Sequence, residues 1–252
     1  MFTLIEELQF VLEPQIRPFC GPLFFARSRE SALGSVTADG SFGLVDTGQE
    51  KLLVTCQHVW EEFEKAREND PELRMLVCLD KNPPAFLDSN PVDLDKGLDI
   101  ATFDMEPLLA ACRGRKFYQI HQNPPRRVTK GDRLFFTGYP GLLRSTTASG
   151  VVFGRRRYAV EVSSVDGLCF HSDISKQKTL FEQKAESVQE GDWHGGISGS
   201  PCFLFRRGRL PHLVGFTRNY CMNMLWFTHA RCLNLDGTVN NQAMASQCDS
   251  GN

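Results

Sequence analysis

Three short blocks carry the residue types of nucleophilic acyl transfer: TCQHV with His58, LDIATFD with Asp99, and HGGISGSP with Ser198. A serine hydroxyl attacks a carbonyl only when a base takes its proton. The base in turn needs a carboxylate on its other ring nitrogen to hold the productive tautomer. Each block alone is ordinary, since a histidine at a strand end, a carboxylate at a strand start and a Gly/Ser turn are all common. Together they supply nucleophile, base and orienting acid. Gly195, Gly196 and Gly199 flank Ser198, and a loop that aims backbone N–H groups at a developing oxyanion needs positive φ or close substrate approach, both of which glycine allows.

A G-x-S-x-G elbow is the rival reading of the serine block. That elbow sits between a strand and a helix. Here Ser198 leads through Ser200 and Pro201 into CFLF, a run of β-forming residues, and the best histidine lies upstream of the serine. A small-ester hydrolase, which would rest on the same block, fails on the same ground.

The elements that must position these residues are mostly strands. Short apolar or alternating runs recur between turn signals: PLFFA, SFGLV, KLLVT, LRMLVCL, DIATF, RLFFTGY, SGVVFG, RYAVEV, GLCFHS, PCFLF, HLVGF and MLWFTHA. Many short strands without long intervening helices predict an all-β sandwich or barrel. One helix interrupts them, over Val59 to Asp70 and stopped by Pro71. Met105 to Arg113 and the N-terminal IEELQFVLEP are further helical stretches. HQNPPRRVTKGD divides the strands into two groups, because its paired prolines cannot continue a central strand. The expected organisation is an N-terminal segment at 1–20, a first barrel at 21–122 with His58 and Asp99, a second at 123–236 with Ser198, and a polar tail at 237–252.

The chain has 252 residues, 41% of them hydrophobic, enough for a sizeable core. A net charge of -2 gives no field that would draw it to nucleic acid or to an anionic membrane, so neither is expected as a partner. The basic runs at Arg155, Arg156 and Arg157 and at Arg206, Arg207 and Arg209 read as solvated turns. The cysteine count of 9 is odd, lacks any C-x-x-C pair and is scattered through strand patterns, so the cysteines read as reduced core residues, not as a zinc site or a disulfide framework. Glu6 and Glu7 stand where a signal peptide needs basic residues followed by an uninterrupted apolar stretch, and no apolar run is long enough to span a bilayer. The expected location is the cytoplasm.

These blocks resemble the trypsin-like serine proteases, and most closely the bacterial HtrA (Deg) type. TCQHV is similar to the family's T-x-x-H-V strand end, LDIATFD to its D-I/L-A strand, and GISGSP to its G-N/D-S-G-G-P nucleophile loop. KGDRLFFTGYPG resembles the segment that opens the family's second barrel, and SGVVFG the strand after it, so the likeness runs from Ser41 to Phe227. It implies two six-stranded antiparallel β-barrels and a serine endopeptidase in which Ser198 attacks, His58 carries the proton and Asp99 orients it. The amides of Gly196 and Ser198 would bind the oxyanion. Asp192, Phe216, Arg218 and Tyr220 would contact an extended peptide or protein substrate, with no cofactor or metal. The alternative is a catalytically silent trypsin fold that binds peptides or acts as a scaffold.

The sequence departs from that pattern at named places. Ile197 replaces the aspartate that pairs with a newly cut N-terminus in secreted relatives, so activation by that ion pair is not expected. Val59 and His194 stand where animal trypsins have disulfide cysteines. Asp192 suggests cleavage after Arg or Lys, while Tyr220 falls where trypsin needs glycine for an open pocket, and Trp193 and His194 could line or close it. Too few residues follow Cys232 for the PDZ domain of HtrA proteins. The expected restraint is therefore an activating or targeting partner protein, the N-terminal segment, or the loops between Ser172 and Ile197.

Overall fold

The structure is a computed structural model that describes residues 12–28, 39–79, 84–112, 115–147, 150–174, 196–205 and 211–242. A short helix, Glu13–Ile16, and a 3-10 turn lead into the strands of the first half. These are β1 Cys20–Ala26, β2 Asp39–Asp46, β3 Lys51–Thr55, β4 Arg74–Val77, β5 Ala85–Phe86, β6 Asp93–Asp95, β7 Ile100–Asp104 and β8 Tyr118–Gln119. In the second half come β9 Arg133–Gly138, β10 Arg144–Thr147, β11 Gly150–Phe153, β12 Arg156–Glu161, β13 Ser164–Asp166 and β14 Cys169–Asp173. They are followed by β15 Pro201–Leu204, β16 His212–Cys221 and β17 Met224–His229.

Two curled antiparallel sheets result. The first runs β5-β4-β1-β2-β3-β7-β6, with β8 added parallel to β2, and the second runs β12-β9-β15-β16-β17-β14-β13. Sheet pairing counts 8 and 7 strands, not two sixes, because pieces of two or three residues such as β5, β8 and β13 join the edges. β10 and β11 pair as a separate hairpin.

Strand alternation shows why the apolar runs are nearly continuous. On β3, Leu53 faces a core shared with Phe25, Phe42, Met75 and Phe103, while Leu52 and Val54 face a second cluster with Ile100, Phe203 and Phe216. Both faces of the strand are buried, so KLLVT needs no polar alternation. The second cluster joins residues of both sheets, and the catalytic candidates lie along that seam. A third core, with Phe136 stacked on Tyr158 at 4.5 Å between ring centroids, fills the second half. Each such side chain contributes roughly 1.5–3 kcal/mol on burial.

The expected helix after His58 is present as Gln57–Asn69, burying Val59 and Phe63 against the first core. The stretch after Met105 is a 3-10 helix, Glu106–Ala111. Of the N-terminal helical stretch, only its end lies within the described residues. The turn reading of Arg155 is corrected: its Nε stands 3.1 Å from Oε1 of Glu13, a buried carboxylate, so the arginine neutralises a charge that would otherwise be costly to bury. Arg206, Arg207 and Arg209 lie outside the described residues. The described cysteines are all free thiols, most of them buried, and Cys221 is exposed. Among the described residues no helix is long and apolar enough to cross a membrane.

Candidate active site

His58 owes its position to a strand-to-helix junction. β3 ends at Thr55, Cys56 takes the extended N-cap conformation, and His58 falls in the first turn of the helix, where backbone amides lack intrahelical partners. One of those amides is satisfied by the candidate acid, for His58 N donates to Asp99 Oδ1 at 2.9 Å. The ring meets the same carboxylate, with Nδ1 at 3.1 Å from Oδ1 and 2.8 Å from Oδ2. A carboxylate at Nδ1 fixes the proton there and leaves Nε2 with the lone pair a base requires.

Asp99 sits on the turn before β7 with φ of 53°, in the left-handed region that non-glycine residues seldom occupy. That turn is gripped along its length. Leu98 N donates to Asp95 Oδ1 at 2.8 Å, the Gly97 carbonyl accepts from Arg218 Nη2 at 3.1 Å, and the Leu98 carbonyl accepts from Thr228 Oγ1.

The two titrations are coupled. Burial pushes the Asp99 carboxyl up, but the hydrogen bond and charge of His58 outweigh it, and the group lies below the usual carboxylate value. Burial likewise pulls His58 down, and the Asp99 hydrogen bond and charge, with Glu62 adding to them, leave it above 6.5. Asp99 is therefore ionised wherever His58 titrates.

Ser198 lies on a loop held by two buried hydroxyl residues. From β2, Ser41 N donates to the Ser198 carbonyl and Ser41 Oγ to the Gly196 carbonyl, both at 2.8 Å. From β16, Thr217 Oγ1 donates to the Ile197 carbonyl at 2.5 Å, while Gly199 N donates to the Thr217 carbonyl at 2.8 Å. The carbonyls of Gly196 and Ile197 are thus turned inward. Since a trans peptide sets N–H opposite C=O, the Ser198 amide is turned away from Thr217. Ile197, where the sequence departs from the aspartate pattern, is 1% exposed and packs into the third core, its Cγ2 only 2.7 Å from where a Cβ on Gly138 would stand. A hydrophobic side chain anchors the loop in place of an ion pair.

The loop is pressed against the strand end that precedes His58. At Gly199, with φ of 88°, a Cβ would stand 2.2 Å from the Ser41 carbonyl oxygen and 2.9 Å from Thr55 Cα. Gly199→Ala therefore combines left-handed strain with overpacking, and we expect a loss of about 3 kcal/mol. In thermal unfolding that is a fall of about 6–12 °C for a chain of this size. An unchanged melting temperature would mean that the loop can lift off Thr55. Among the described residues no hydrogen bond links the Ser198 hydroxyl to the His58 ring. The acid–base half of the constellation is formed, and the nucleophile is brought to it by backbone juxtaposition. Hydrogen bonds of this kind commonly tighten only when substrate binds.

Cys56 Sγ, His58 and Asp99 place one metal-ligand atom each within 4.8 Å of one another. The atoms are already engaged otherwise: the thiol donates to the Thr217 carbonyl at 3.0 Å, and His58 Nδ1 to Asp99. Burial also pushes the Cys56 thiol well up, against the thiolate a metal would need.

No family model and no curated protein sequence matches the chain. Comparison of folds does find likenesses. The serine endoprotease from Yersinia pestis matches over 91% of this chain and 63% of its own, with a TM-score of 0.53 and 14% identity. An active-form protease of M. tuberculosis matches over 89% and 82%, with a TM-score of 0.51 and 12% identity. For Deg5 the shares are 89% and 90%, with a TM-score of 0.50 and 14% identity. The fold is that of the trypsin-like serine proteases. At such identities the likeness is one of fold, and the chain spans 63% of the length of the Yersinia pestis structure.

Within this trypsin-like fold the remaining expected residues fall into three groups. Asp192, Trp193 and His194, with most of the stretch from Ser172 to Ile197, lie outside the described residues. Phe216 is 2% exposed and paired on both sides, to Pro201 of β15 and Thr228 of β17, so its backbone has no edge to offer a peptide. β15 begins at Pro201, which leaves β16 beyond Phe216 without that neighbour, and Arg218 and Tyr220 lie on this stretch. Tyr220 packs against the third core, its hydroxyl donating to Asn223 Oδ1 at 2.7 Å. Sequence reasoning missed Ser41, Thr217 and Thr228. Their signal was a small hydroxyl residue inside each of the apolar runs SFGLV, GFT and WFT.

Proposed function

We propose that the chain is a serine endopeptidase that hydrolyses peptide bonds through an acyl-enzyme intermediate, with Ser198 as nucleophile, His58 as general base and Asp99 as the orienting acid. The observation that carries this reading is the grip of the Asp99 carboxylate on both the ring and the amide of His58, beside a serine loop built over Gly199. His58 takes the Ser198 proton as the hydroxyl attacks the scissile carbonyl, and returns it to the leaving amine. The Ser198 amide, with that of Gly196, stabilises the oxyanion. The substrate adds as an extended strand along β16 beyond Thr217, the part that pairs with neither β15 nor the serine loop among the described residues. Free thiols throughout the described residues suit the reducing cytoplasm.

A fluorophosphonate probe tests this directly. It should modify the full-length protein once, with the adduct mapped by mass spectrometry to the peptide containing Ser198. Digestion of a peptide library should then show internal cleavage. A chain that neither labels nor cleaves would be a silent trypsin fold.

The rate should also fall on acidification. Since Asp99 lifts the His58 imidazolium above 6.5, kcat/KM should decline as pH drops through a value above that of an ordinary histidine, as the base becomes protonated. Buried His229, held down to about 4 by burial with Arg231 nearby, does not titrate in that range. A profile flat from about pH 5 to 8 would rule out a histidine base.

A further inference from the structure

We propose that Arg218 is a positioning residue of this peptidase, a guanidinium on the second barrel that clamps the acid-bearing turn of the first and keeps Asp99 in line with His58. The inference rests on the peptidase reading and extends it to a residue that the family resemblance implies is a substrate contact.

The geometry begins with an irregularity in β16. Thr217 pairs with Phe227 and Tyr220 with Leu225, so Arg218 and Asn219 together face Trp226 alone. A bulge of this kind re-aims a side chain, and here the arginine crosses the seam between the barrels. Its Nη2 donates to the Gly97 carbonyl at 3.1 Å and its Nη1 lies 3.2 Å from Cys169 Sγ on β14. The planar fork is held at two corners, which a lysine could not reproduce.

What it holds requires holding. Asp99 sits at φ of 53°, a conformation that is strained for a non-glycine residue and persists only where the surroundings impose it. The two carbonyls just before it, of Gly97 and Leu98, are bound by Arg218 and by Thr228, both on the second barrel. The acid therefore belongs to the first barrel by chain and to the second by restraint. Thr217, next to Arg218, carries the contacts to the Ser198 loop. Adjacent residues of one strand thus set the register of acid and nucleophile together.

Charge acts in the same sense. Asp99 is faced by His58 and Cys56 from the helix start and by Arg218 from β16, and His58 is faced by Asp99, by Glu62 on its own helix and by Arg218. The arginine helps keep Asp99 ionised and opposes the imidazolium, which favours the neutral base at working pH.

The test uses the full chain with Arg218→Ala, and Arg218→Met as a companion that keeps most of the packing of the stem. Two readouts are taken: the rate of fluorophosphonate labelling and the NMR signal of the deshielded His58 Nδ1 proton, which reports the Asp99 contact whether or not the chain hydrolyses anything. We expect labelling to slow about 10²-fold, the cost of a small misplacement of a catalytic group. The proton signal should broaden or move upfield, and guanidinium ion at sub-denaturing concentration should restore both in the alanine variant. Labelling within twofold of wild type, or an unmoved proton signal in both variants, would overturn the clamp. If the wild type itself fails to label, the peptidase reading falls, and the proton signal still decides whether Arg218 holds Asp99.

Discussion

Ser198→Ala should abolish peptide hydrolysis and probe labelling while leaving the protein as stable as before. The loss in kcat should approach about 10⁶-fold, because a triad without its nucleophile retains only the contributions of binding and the oxyanion donors. The fold should not notice. The contacts that hold the loop are made by the Ser198 backbone carbonyl, by the carbonyls of Gly196 and Ile197, and by the buried Ile197 side chain, none of which the substitution touches. Removing one oxygen from a partly exposed loop residue should shift stability by no more than about 0.5 kcal/mol. Ser200 is the nearest substitute nucleophile in sequence, but it is fully buried, with its amide turned to Ile197 and Thr217. Hydrolysis retained in Ser198→Ala, measured together with an unchanged melting temperature, would move the nucleophile off this loop altogether.

The candidate site residues were legible in the sequence because each sits at a chain feature with a local signature. His58 follows an apolar strand and opens a helix, Asp99 precedes another apolar strand, and Ser198 is set among glycines. The devices that aim them were not, because they are contacts across the seam between the barrels and depend on register. Ser41 and Thr217 are ordinary strand residues until β2 and β16 are known to flank the serine loop. Nothing in the run GLDIA announces a left-handed aspartate, since a glycine is the usual sign of that conformation and here the strain is imposed from outside. Arg155 misled for a similar reason: a basic run in a hairpin reads as solvated, and the buried Glu13 that claims it lies in a different part of the chain. That Phe216 has no free backbone edge is likewise hidden in the sequence, because its double pairing to β15 and β17 follows from where β15 starts, at Pro201.

Asp99→Asn should leave the fold intact and lower turnover by about 10⁴-fold, the size of effect the same change has in trypsin. The reason is a reversal of hydrogen-bond roles. In the native protein the carboxylate only accepts, so His58 Nδ1 must be the donor and Nε2 the base. An asparagine can turn its NH2 toward the ring, which makes Nδ1 the acceptor, moves the proton to Nε2 and removes the lone pair that would take the Ser198 proton. The amide of His58 can still be satisfied by the asparagine oxygen in place of Oδ1, and Arg218 and Thr228 still hold the turn, so the helix start should survive and the melting temperature should move little. The neighbouring carboxylates cannot take over. Asp95 accepts from Leu98 N at 2.8 Å and Asp104 from Glu106 N at 2.9 Å, each in its own turn, and Asp93 accepts from Val239 N, far along the chain, at 2.7 Å. The substitution should also remove the lift that Asp99 gives the imidazolium, so whatever activity remains should have its acidic limb at lower pH than the wild type. Steady-state kinetics across the pH range would read both effects at once. A loss of tenfold or less, or an acidic limb that stays where it was, would mean that Asp99 is not the group that orients His58.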